Sequence, residues 1–206
     1  MRPRCELWLV VGACAAAPAP IANVTHAPPP SAGPPALFAE LVRPDATWTF
    51  PAETVDVEGP DHRTRTGEVT CTATSQVIAK GWSTDIACSG MDYANLIDGH
   101  YVITRDGMWR IDETIEGEPP ADTMLIAAIP VPRERKTEHD ESGSSFGEAW
   151  KAEPHGGGWC ISDDSWGGDE GGWALCIQAG KGIVGGSGYF AGGFTHDTYF
   201  GDVPRH

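Results

Sequence analysis

The sequence predicts an all-β fold: an antiparallel sandwich or open barrel of about nine to eleven short strands. Three observations carry this. The 206 residues include 26 glycines and 17 prolines, and the β-branched and aromatic residues fall in short runs between turn signals. No segment sustains a long helical period. Two cysteine pairs, Cys71 with Cys88 and Cys160 with Cys176, bracket stretches of nearly equal length, each with a glycine where a hairpin between the cysteines would bend. Opposed residues of an antiparallel pair have a constant sum of residue numbers. Pairing Cys71 with Cys88 therefore centres one turn between Ala79 and Lys80, next to Gly81, and pairing Cys160 with Cys176 centres the other at Gly168. Opposed residues in such a ladder lie about 4.5–5.5 Å apart at Cα, within disulfide reach. Each staple closes a loop of about 16–18 residues, for which chain entropy gives roughly 3 kcal/mol.

In chain order, residues 1–13 have the form of a signal peptide, with Arg2 and Arg4 ahead of an apolar run (LWLVV) too short to cross a bilayer. Val11-Gly12-Ala13-Cys14 resembles the lipobox of bacterial exported lipoproteins. The resemblance implies that Cys14 is lipidated on sulfur and becomes the new N-terminus, so that the protein is held to a membrane by acyl chains. The competing reading is cleavage at an Ala-x-Ala site within residues 15–17 and simple secretion, and a third is an uncleaved chain. Either exported form places the protein in a bacterial cell envelope or outside the cell, where disulfides persist; Cys5 would leave with the leader. Residues 14–36 complete the anchor as a Pro/Ala-rich extended tether. Asn23-Val24-Thr25 matches a glycosylation acceptor and reads as chance in that context.

Residues 37–206 form a single β-rich domain, with halves 37–132 and 146–206. Residues 37–42 suit one or two helical turns stopped by Pro44. Residues 46–57 read as a strand whose Pro51 fits an edge or a bulge. Residues 67–79 alternate, with Val69, Cys71, Ala73, Ser75 and Val77 on one face, and residues 83–89 return. Residues 99–112 form a hairpin around Arg105-Asp106-Gly107, where Asp-Gly is expected to supply positive backbone angles. The continuously apolar run 123–131 suggests a strand buried on both faces or the centre of the sheet. Residues 133–145 (RERKTEHDESGSS) lack apolar periodicity and are expected to be an exposed, mobile loop joining the halves. In the second half, residues 146–151, 158–162, 172–178, 183–194 and 197–203 are strand candidates, the last two with glycines that permit bulges or close backbone approach. Each half offers a stapled hairpin with a Gly-Trp pair before its second cysteine, which suggests a diverged internal duplication, although Cys88 follows Trp82 by six residues and Cys176 follows Trp173 by three.

The net charge of −15 makes nucleic acid and anionic membrane surfaces poor partners. Functional candidates concentrate between Cys160 and Cys176. Asp163, Asp164, Asp169 and Glu170 could offer oxygens to calcium, but their spacing matches neither the EF-hand loop nor the glycine-rich calcium-binding nonapeptide, and no cofactor is expected. Trp159, Trp166 and Trp173 resemble the aromatic platforms that stack on sugars; strand alternation keeps them from sharing one face, so Trp159 and Trp173 are assigned to packing and Trp166 to possible ligand contact. Histidines 62, 100, 139, 155 and 196 show no ligand spacing with one another. His196-Asp197 and Ser187 lack the turn motif of a hydrolase nucleophile. The expected function is a non-enzymatic binding or structural role in the envelope, toward a glycan or a protein. A polymer hydrolase and an apolar-ligand carrier inside a barrel are the alternatives.

Overall fold

The computed structural model describes residues 33–58, 61–111, 124–141, 144–166, 170–191 and 195–205. Among the described residues twelve antiparallel strands form one sheet: β1 (Ala46–Glu58), β2 (Asp61–Ile78), β3 (Gly81–Ser89), β4 (Gly99–Ile103), β5 (Gly107–Ile111), β6 (Met124–Ala127), β7 (Arg133–Glu141), β8 (Ser144–His155), β9 (Gly158–Trp166), β10 (Glu170–Gln178), β11 (Gly182–Ala191) and β12 (Thr195–Gly201). Their order is β6-β5-β4-β3-β2-β1-β12-β11-β10-β9-β8-β7, two six-stranded meanders joined where β1 pairs with β12. The sheet curls into a nearly closed barrel. At the seam β6 packs near β8, and Arg133 Nη1 donates to the Met124 carbonyl at 3.1 Å.

The predicted registers hold. Cys71 opposes Cys88 and Cys160 opposes Cys176, and both pairs are disulfide-bonded with Cα atoms 4.1 and 4.0 Å apart. The first hairpin turns at Ala79 and Lys80; the residues of the second turn, 167–169, lie outside the described set. Pro51 pairs with Glu68, while the β12 partners of β1 begin only at Ala52, so the proline occupies a locally open edge as its missing N–H requires.

Two expectations are corrected, and of two alternatives for a third segment one is selected. The charged run 133–145 is not a loop: it contributes β7 and the start of β8. A terminal strand needs a ladder on one side only, and charge suits an edge that must not recruit other chains. The apolar run 123–131 does supply a strand buried on both faces, with Leu125 8% and Ile126 0% exposed, but at the end of the sheet rather than its centre, and Ile129 and Val131 beyond it are exposed. The Asp106-Gly107 turn closes without positive φ at either residue; the Thr104 N–H donates to the Gly107 carbonyl at 2.9 Å and the Thr104 hydroxyl accepts from the Asp106 N–H at 3.0 Å.

One barrel end is stoppered by residues 37–42, which form the expected turn (Leu41 N–H to Phe38 O, 3.0 Å) and bury Phe38 and Leu41 completely. Ser75 Oγ donates to the Leu41 carbonyl, and the Trp48 indole donates to the Lys181 carbonyl at 2.7 Å. A short 3-10 turn, η1 (Ala94–Ile97), packs inside the barrel against β3, β10 and β11. Glycines make this possible. A β-carbon at Gly188 would run into the Tyr93 carbonyl, and one at Gly186 into Ile97 Cδ1. Among the described residues, η1 and residues 37–42 thus occupy part of the space between the strands.

Candidate functional site

The barrel end opposite residues 37–42 is the chemically richer one. Pleat alternation, followed through the strand registers, places Thr54, Asp56, Arg65, Phe190, His196 and Thr198 on the inward face there. His196 Nδ1 lies 2.5 Å from Asp56 Oδ1, and Arg65 bridges Asp56 (Nε to Oδ2, 3.3 Å) and Asp92 (Nη2 to Oδ2, 2.7 Å). The His196 hydrogen bond, ahead of Arg65 and against the cost of burial, holds the Asp56 carboxyl below its ordinary value. Thr198 donates to the Asp92 carbonyl at 2.5 Å, which leaves Thr54 as the donor to Thr198 at 2.7 Å. Tyr93, held at φ 60°, stacks on Phe190 (centroids 6.2 Å, 3° between planes) and on His196 (5.4 Å, 26°). An open depression of about 550 Å³ adjoins the stack, lined by residues 88–93, Asn95 and Leu96.

Across η1 from this cluster is a second one. Arg110 stacks over Trp173 at 4.7 Å and donates to the Asp98 carbonyl at 2.7 Å, while the Asp98 carboxylate accepts the Cys88 N–H at 2.6 Å. Burial pushes the Asp98 carboxyl up, opposed by that N–H and by Arg110. Burial also pushes the Tyr101 hydroxyl up; it donates to the Ile97 carbonyl at 2.8 Å.

The candidates read from the sequence are dispersed. Asp163 faces the interior in the row that joins Trp150 and Trp173, whereas Asp164 faces outward, because consecutive residues of β9 alternate. The structure does not bring the two carboxylates together. Trp166 ends β9 opposite Gly147, and Glu170 opens β10; their side chains, and Asp169 entirely, lie outside the described residues, as does Cys14. Trp173 lies in the core and Trp159 packs against it, as assigned. Among the described residues no group of three or more His, Cys, Asp or Glu side chains is placed to hold a metal ion. His196 hydrogen-bonds to Asp56, and pleat alternation sets Ser187, with its hydroxyl buried, on the opposite face, so His196 and Ser187 do not converge. Asp56, Arg65, Asp92 and Tyr93 carried no signal in the sequence, since His196 and Asp56 are 140 residues apart.

No family model matches the sequence, and no curated protein matches it. A domain described as belonging to an outer membrane lipoprotein-sorting protein from Vibrio parahaemolyticus is a solved structure to which the chain is similar. The alignment has 8% identity over 77% of this chain and 84% of that one, with a TM-score of 0.26. A likeness at that score carries no argument about fold or function.

Proposed function

We propose that this is the globular domain of a cell-envelope lipoprotein, anchored through Cys14, with a non-enzymatic binding role exercised at the open barrel end. The single observation that carries the binding half is the Tyr93 stack beside Asp56, Arg65, Asp92 and His196. Aromatic faces next to carboxylates and a guanidinium already fixed by one another form a pre-ordered surface that loses little entropy on contact. A glycan or a protein segment is the class of partner such a surface suits. Two buried-or-paired disulfides favour an oxidising compartment.

Mass spectrometry of the native protein should find an acylated Cys14 as the first residue; an intact N-terminus would refute the anchor. Glycan-array and pull-down binding should weaken at least about tenfold in Tyr93→Ala, a loss of about 1.4 kcal/mol. Trp166→Ala, with and without calcium, tests whether the β9–β10 tip belongs to the same surface. Wild-type protein that binds neither glycans nor envelope proteins would end the binding reading.

A further inference from the structure

Away from the barrel rim, on the outward face, one run of hydrogen bonds has the polarity of an activated nucleophile. Ser83 and Asp85 lie two residues apart on β3, and His100 stands directly opposite Asp85 on β4. His100 Nδ1 is 2.7 Å from Asp85 Oδ1, and His100 Nε2 is 3.2 Å from Ser83 Oγ. A carboxylate only accepts, so Nδ1 carries the ring proton; the neutral ring then presents a bare Nε2 to the Ser83 hydroxyl, which donates. A serine bonded to an imidazole whose far nitrogen is held by an acid is the arrangement that lets the hydroxyl lose its proton as it attacks.

A second, independent observation lies in the same cross-strand row. Ser83 opposes Val102 on β4, and Val102 opposes Trp109 on β5. Among the described residues the Trp109 indole N–H is buried without a hydrogen-bond partner. Leaving such a donor unmet costs about 1–3 kcal/mol. The row spans two strand spacings, about 10 Å, and Val102 and Trp109 are buried, 8% and 6% exposed, so an acyl group reaches the serine and the indole only as this patch opens. Ser83 is only 5% exposed, whereas the His100 and Asp85 side chains are 40% and 67% exposed. That restricts the acyl donor to a slim, uncharged group.

We propose that Ser83 is a nucleophile activated by His100 and positioned through Asp85, accepting short acyl groups from activated esters, with the Trp109 indole N–H as donor to the carbonyl oxygen. Ser83 Oγ forms a bond to the carbonyl carbon while its proton passes to His100 Nε2. The ester C–O bond then breaks, and the leaving alcohol takes that proton. Water repeats the sequence to release the acid and restore the serine. This site is on the opposite face from the rim and does not depend on the binding reading.

The test uses the full chain with a biotinylated fluorophosphonate and with p-nitrophenyl acetate, mapping adducts by peptide mass spectrometry and checking folding by circular dichroism. The expected results are an adduct on Ser83, none in Ser83→Ala, and a labelling rate at least about tenfold slower in Asp85→Asn. Trp109→Phe should slow acyl transfer while leaving the two disulfides intact. Wild-type protein without an adduct on Ser83 overturns the proposal, as does an unchanged rate in folded Asp85→Asn. Asp85 is the exposed member, so its replacement decides the matter even if Ser83→Ala fails to fold.

Discussion

The two disulfides span 17 and 16 residues and join opposed positions of neighbouring strands, yet they stand on opposite faces of the sheet. Cys71 and Cys88 point inward and belong to the hydrophobic core with Val69, Ile86 and Tyr101. Cys160 and Cys176 point outward, in the row that continues through Gly185 to Gly201. They are buried all the same. The chain folds back over that row after β12: the Asp202 N–H donates to the Val184 carbonyl at 2.9 Å, Asp202 accepts from His155 at 2.9 Å, and Arg205 pairs with Glu53 and covers Tyr199. The first staple joins the second and third strands of its meander, the second the third and fourth of its own. The recurrence of Cys, Gly-Trp and Cys therefore places its two staples on different faces of the sheet. A shared hairpin chemistry fixes local register and says nothing about which face will be buried.

The comparison can be broken at several levels. Replacing both inner cysteines by alanine should cost about 4–5 kcal/mol, the loop-entropy term plus a core cavity, against about 3 kcal/mol for the outer pair. Urea denaturation of the two double variants measures the difference; equal costs would mean that the core gains nothing from the inner sulfurs. Within the second half, Gly188→Ala should cost about 1–3 kcal/mol because its β-carbon meets the Tyr93 carbonyl. Gly180→Ala, at φ 73° with open space around it, should cost nearer 1 kcal/mol. A reversal of that order would show that η1 yields easily.

The smallest effects separate two carboxylates by sign. Asp56, at the rim, has a folded value below 3.8; its stabilisation is present above 3.8 and is lost as pH falls through the folded value. Asp98, fastened to the inner staple through the Cys88 N–H, has a folded value above 3.8. Its contribution is present below 3.8 and is lost as pH rises through the folded value. Asp56→Asn and Asp98→Asn should therefore change the acid limb of stability in opposite directions, and carboxyl NMR titrations should bracket 3.8 from either side. Titration of both groups on one side would remove the distinction.

Much of this architecture was legible from residues close in sequence. The registers of both stapled hairpins followed from cysteine positions, and the 37–42 turn from Pro44. The charged strand β7 was not legible, because edge position cancels the alternation by which strands are recognised, and its addition raises the strand count to twelve. The rim was not legible either. It needs β1 beside β12, and no local pattern encodes a pairing between residues 140 positions apart.

The sequence by itself determined the all-β class, the two disulfide pairings and the turn of the first stapled hairpin, since each depends on contacts within about twenty residues, where loop closure is cheap and turn chemistry decides. Tertiary structure alone decided which staple entered the core, that η1 would pack over Gly186 and Gly188, and that His196 would meet Asp56. Those outcomes depend on how the whole sheet curls and closes. That is settled by burial summed over twelve strands, a property no single segment carries.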